Sequence, residues 1–143
     1  MSDLIMTRKF KASPEMVFDF VTKQDNIAKW WGPETMHCPV LDMNLGQTGS
    51  WISTMENKEG QQYTVSGEVM DVDPPNSVEF TWAWHDETGA RGNESVVRFD
   101  VKDDGSGGST FTLTHRGLVD EDSRNGHEQG WTSSLRKLEN ELA

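Results

Sequence analysis

Val78, Phe80, Trp82 and Trp84 alternate with Glu79, Thr81 and Ala83. A strict period of two places four large apolar side chains on one face of an extended strand, and that face has to be covered. Val97, Phe99 and Val101 repeat the pattern, and so do Phe111, Leu113 and His115. Near the end of the chain the period changes. Trp131, Leu135, Leu138 and Leu142 stand at i, i+4, i+7 and i+11, one stripe of a helix from Gly130 to Leu142. His127 lies one turn earlier on the same stripe, and Lys137 and Glu141 lie on the other face. Asp120-Glu121-Asp122 reads as the acidic start of that helix, favoured by its dipole. A sheet with one apolar face and a helix with one apolar stripe supply each other's missing layer.

The remaining segments fit around this pair. Leu4 to Phe10 reads as a first strand. Ser13 as N-cap and Pro14 at the first helical position start a helix whose apolar face is Val17, Phe18 and Val21. Asp25 is placed to cap a second short helix carrying Ile27, Trp30 and Trp31, stopped by Gly32-Pro33. Strands are expected over 38–43, 50–55 and 63–72, with Gly67 marking a bulge or a site of close packing. Asp73-Pro74-Pro75-Asn76 is a turn, and Asp104-Gly105-Ser106-Gly107-Gly108-Ser109 is a hairpin loop. The expected order is strand, two short helices, about six antiparallel strands and one long helix. That is an α+β fold, read as one domain over residues 1–143.

Six Trp and six Phe make up for an apolar share of only 34%, because each large ring buries roughly 150–250 Å². The net charge of −11, with no basic cluster, argues against nucleic acid and against an anionic membrane surface as partners. Cys38 is the single cysteine, so no intrachain disulfide forms, and a lone thiol suits a reducing compartment such as the cytoplasm. MSDLIMTRKF has no signal-peptide core, and no apolar run approaches the 18 residues of a membrane span.

Catalytic motifs do not emerge. His37, Cys38, His115 and His127 offer nitrogen and sulfur to a metal, yet none stands at a metal-ligand spacing, so no metal or other cofactor is expected. His85 is the fourth histidine. His115 or His127 could serve as a general acid or base, or be a satisfied structural histidine, which is the commoner case. Ser50, Ser53, Ser133 and Ser134 lack a nucleophile-elbow context. Glu68, Asp71 and Glu79 alternate with apolar residues as a solvated sheet face does, and Gly105, Gly107 and Gly108 do not precede a helix as a phosphate loop must.

Four fragments carry a family resemblance: Trp30-Trp31-Gly32-Pro33, Val69 to Pro75, Val78 to Trp84, and Leu113 to Gly117 together with Gly130-Trp131. In order and spacing they resemble the START-like, helix-grip superfamily, and most closely the branch of homologues of the activator of the heat-shock protein 90 ATPase. The resemblance implies a curved antiparallel sheet, two short helices and a long C-terminal helix across a cavity. It also implies a small apolar or amphipathic ligand, with two alternatives: a polyketide-cyclase-like reaction, or an adaptor role with a chaperone as partner. The side chains expected at the cavity wall are Trp51, Trp82, Trp84, Phe99, Phe111, His115 and Trp131. They read equally as a filled core, and the face that Trp51 takes depends on register, since a slip of one residue reverses every side chain.

The charge yields a first expected outcome. The protein leaves DNA and RNA unshifted in a mobility assay at physiological salt. Micromolar, salt-sensitive binding would contradict it.

Overall fold

The alternating segments form one seven-stranded antiparallel sheet in a computed structural model that describes residues 2–143. β1 (Ser2–Phe10) leads into α1 (Pro14–Thr22) and the single-turn α2 (Gln24–Ile27). Six strands follow: β2 (His37–Asp42), β3 (Gly49–Glu56), β4 (Gln62–Asp73), β5 (Ser77–Trp84), β6 (Ser95–Asp103) and β7 (Ser109–Leu118). α3 (Glu121–Glu141) comes last. The order across the sheet is β1-β7-β6-β5-β4-β3-β2, so the last six strands form a meander and β1 adds to its end beside β7. This is the helix-grip layout that the resemblance implied.

Cross-strand pairs show which side chains share the inner face. Val65 pairs with Trp84, Val69 with Phe80, Val78 with Phe99, Phe99 with Leu113, and Val97 with His115. Each pair occupies one face of the sheet, and most of these side chains are fully buried. Trp51 pairs with Gly67, which places the indole on this same inner face. Gly67 is a site of close approach: a Cβ there would run into the Thr81 carbonyl. The local ladder is rebuilt by side chains. Trp51 Nε1 donates to the Thr81 carbonyl at 3.1 Å, and Thr81 Oγ1 accepts from the Glu68 N–H at 2.8 Å. The register shift itself falls between Val69 and Asp71.

The helices attach as their sequences dictate. Ser13 Oγ accepts from the Met16 N–H, and Pro14 opens α1. Val17, Phe18 and Val21 point into the core. Asp120 caps α3 by accepting from the Ser123 N–H at 2.8 Å. Trp131, Leu135 and Leu138 are buried against the sheet. Several boundaries differ from the sequence expectation. α2 ends at Ile27, so Trp30 and Trp31, expected within it, lie beyond its end. Lys23, not Asp25, sits at the N-cap of α2, because its N–H closes the end of α1 on the Asp19 carbonyl and the next turn starts there. β7 continues past His115 to Leu118, since β1 pairs with it that far. Among the described residues no helix is long and apolar enough to cross a membrane.

Leu138 is completely buried beneath α3. Leu138→Ala should destabilise the protein by about 2–5 kcal/mol in urea melts. A loss below about 0.5 kcal/mol would show that the helix is not docked on the sheet.

Candidate functional site

Beside the covered core, a cavity of about 350 Å³ lies between α3, the inner ends of β3 to β5, and the corner that follows α2. The corner contributes Trp31, Gly32, Pro33 and Met36. Gly32 turns the chain there with a left-handed φ of 84°, which only glycine adopts without strain. The sheet contributes Met55, Tyr63, Trp82 and Trp84. α3 contributes Ser123, Gly126, His127, Gly130, Trp131 and Ser134, spaced so that they share one side of the helix.

The space has two causes. Gly126 and Gly130 stand one turn apart in α3, and a Cβ at either would meet nothing within 4 Å. Opposite them, large flat rings meet at angles and do not nest. Trp31 lies edge-on to Trp131, with ring centroids 5.5 Å apart, and tilted to Trp82 at 5.8 Å. Trp82 in turn packs on Trp131 at 5.2 Å and on Trp51 at 5.6 Å. These are the offset and edge-to-face contacts that aromatic quadrupoles prefer.

The two inner histidines serve these rings. Trp131 Nε1 donates to His115 Nδ1 at 3.1 Å. His115 Nε2 therefore carries the proton of the neutral ring and donates to Ser95 Oγ at 2.7 Å, and that hydroxyl donates to the Trp82 carbonyl at 3.3 Å. Trp84 Nε1 donates to His127 Nε2 at 2.9 Å, and His127 Nδ1 donates to the Ser123 carbonyl at 2.7 Å. The imidazoles lie edge to face, with centroids 4.8 Å apart. Burial pushes the His115 imidazole from its ordinary 6.5 down to about 3, and the neighbouring His127 pushes it the same way. Burial also lowers His127. Each ring accepts an indole N–H, and only the neutral form can do so.

Cys38 and Lys137 meet at one backbone oxygen beside the cavity. Lys137 Nζ donates to the Trp31 carbonyl at 3.1 Å, and Cys38 Sγ lies 3.8 Å from the same atom. Burial pushes the Cys38 thiol up, while Lys137 and Ser53 oppose it, and burial pushes the Lys137 ammonium down. The raised thiol is the inert form of cysteine. Among the described residues no group of three or more side chains could hold a metal ion.

Of the seven side chains expected at a cavity wall, Trp82, Trp84 and Trp131 line this space. Trp51, Phe99, Phe111 and His115 pack behind it as filled core, because they lie deeper along the inner face. Trp31, Met36, Met55 and Tyr63 belong to the wall and were absent from the sequence expectation. One legible signal was passed over: two glycines four residues apart within a helix.

The family description "Activator of Hsp90 ATPase homolog 1-like protein" matches residues 11–143. The chain belongs to this family. It is similar to the crystal structure of an AHSA1 protein from Silicibacter pomeroyi, with 46% identity, a TM-score of 0.94, and coverage of 99% of this chain and 97% of that one. Less similar chains share its fold. A protein from Chromobacterium violaceum is 18% identical with a TM-score of 0.86, over 99% of this chain and 98% of that one. One from Staphylococcus epidermidis is 24% identical with a TM-score of 0.79, over 98% and 88%. No curated protein is significantly similar to the chain. Over residues 11–143 the family match falls on the helix-grip fold.

The histidine geometry has a pH consequence with a definite sign. A folded-state pKa below the unfolded one means that the unfolded chain binds more protons in the interval between them. The stabilisation is complete above pH 6.5 and is lost as the pH falls toward the folded value of about 3. His115 should add up to about 1.4 kcal/mol of lost stability per pH unit below 6.5. His115→Asn should flatten that slope. NMR titration of the folded protein checks it directly: the His115 ring should stay neutral at pH 5, and an imidazole titrating near its ordinary value would contradict the assignment.

Proposed function

We propose that this member of the homologue family is a binding domain, acting as one unit over residues 1–143, and that the cavity takes one small apolar or amphipathic molecule. The observation that carries this reading is the pair Gly126 and Gly130. Glycine inside a helix costs about 1 kcal/mol relative to alanine. A helix that had only to cover a sheet would be more stable with larger side chains at both positions. Both glycines line the cavity across from Trp82 and Trp84, Gly130 half-buried and Gly126 exposed at its mouth. The volume is within the range of small-molecule sites, roughly 300–1,000 Å³.

Two other readings are less well supported. A cyclase-like reaction needs a group in the wall that gains or loses a proton. His127 uses both ring nitrogens in hydrogen bonds, and burial holds it neutral. A chaperone-docking role through an aromatic patch needs exposed rings at the corner after α2, whereas Trp30 and Trp31 are buried. The unactivated lone thiol of Cys38 fits work in the cytoplasm.

Gly130→Leu is the direct test. The variant should melt at the wild-type temperature or above it, since leucine is the better helix former and fills open space. The wild type should take up a neutral aromatic probe such as 1-aminoanthracene saturably, and the variant should lose that uptake. Undiminished binding in the folded variant would place the probe elsewhere. Failure of the wild type to bind that probe, fatty acids, sterols and aromatic polyketides would leave the docking role as the better reading.

A further inference from the structure

The six tryptophans carry six indole N–H donors. Five reach an acceptor inside the protein. Trp30 donates to the Phe20 carbonyl, Trp31 to Ser53 Oγ and Trp51 to the Thr81 carbonyl, while Trp84 and Trp131 donate to the two histidines. Trp82 Nε1 has no partner among the described residues and is closed off from water. A buried donor left unmatched is costly, and nearly all such groups in folded proteins find a partner.

The two histidines beside Trp82 do not supply one. Its ring lies 5.3 Å from His115 and 6.1 Å from His127, but both imidazoles already accept an indole N–H and donate their remaining proton. Trp82 is also one of the residues that line the cavity. No Asp, Glu, Lys or Arg lines that cavity among the described residues. A charged ligand would therefore lose its hydration without gaining a counter-charge.

We propose that the cavity takes an uncharged, largely apolar molecule bearing a carbonyl or ether oxygen, and that this oxygen accepts the hydrogen bond of Trp82 Nε1–H. The assignment rests on the ligand-binding reading above and narrows its chemical class. As the ring stands, its N–H is closed to contact by water, so a small tilt of the indole toward the open volume accompanies binding. The other five donors stay in place as the rigid surround.

Indane, 1-indanone and indane-2-carboxylate share one skeleton and separate the contributions. Their affinities are to be measured by NMR titration of the ¹⁵N-labelled full chain, wild type and Trp82→Phe, with the six indole signals assigned in the wild type. The ketone should bind about tenfold more tightly than the hydrocarbon, the size of one recovered hydrogen bond at a buried donor. The carboxylate should bind more weakly than either. The ketone alone should move the Trp82 indole proton downfield, and its advantage should vanish in Trp82→Phe. Equal binding of indane and 1-indanone, with the Trp82 signal responding alike to both, would overturn this assignment and leave the binding reading intact. No binding of any of the three at millimolar concentration would count against both. Should Trp82→Phe fail to fold, the wild-type indole shifts decide between the first two outcomes.

Discussion

The inner face of the sheet and the stripe of α3 each need the other, and the side chains that join them are mostly indoles. Trp82 packs against Trp31, Trp51, Trp84 and Trp131, so one residue of β5 touches rings from the corner after α2, from β3, from its own strand and from α3. A filled aliphatic interface would interdigitate at close-packed density. Flat rings meeting at edges and tilts do so only where small side chains fill the gaps. Where α3 presents Gly126 and Gly130, nothing fills them. The cavity is thus a consequence of which residue types face each other at one end of the sheet.

The indoles also bring polar atoms into that apolar layer, and this sets the chemistry of the wall. Each N–H needs an acceptor that does not carry charge into the core. His115 and His127 provide two of them as neutral rings, with Ser95 and the Ser123 carbonyl taking the remaining protons. A serine hydroxyl and two backbone carbonyls provide three more, and the Trp82 N–H has none among the described residues. The imidazoles that stood out in the sequence as candidates for acid–base work are held in place by tryptophan hydrogen bonds. The result is a wall without formal charge in a protein whose net charge is −11.

Much of the fold was legible in the sequence because it rests on periodicity. The alternation from Val78 to Trp84 fixed β5 and its inner face, and the stripe of Trp131, Leu135 and Leu138 fixed the docked side of α3. The face of Trp51 was not legible, since it depends on the register of its pairing with Gly67 in the next strand. The site was harder for the same reason. A period of two says which face a residue occupies but not how deep along the sheet it lies. Phe99 and Phe111 therefore looked equivalent to Trp82 and Trp84, yet they belong to the filled end. Trp31 and Met55 enter the wall through contacts between distant segments, which no local pattern encodes.

Native mass spectrometry of the full chain after exposure to a mixture of neutral lipids and aromatic ketones tests the central claim most directly. The account predicts one small uncharged molecule retained per chain, at one-to-one stoichiometry, and a bare-mass spectrum for a folded variant whose α3 glycines are replaced by leucine. A wild-type protein that emerges at its bare mass, or one that retains the same molecules as the filled variant, would contradict it.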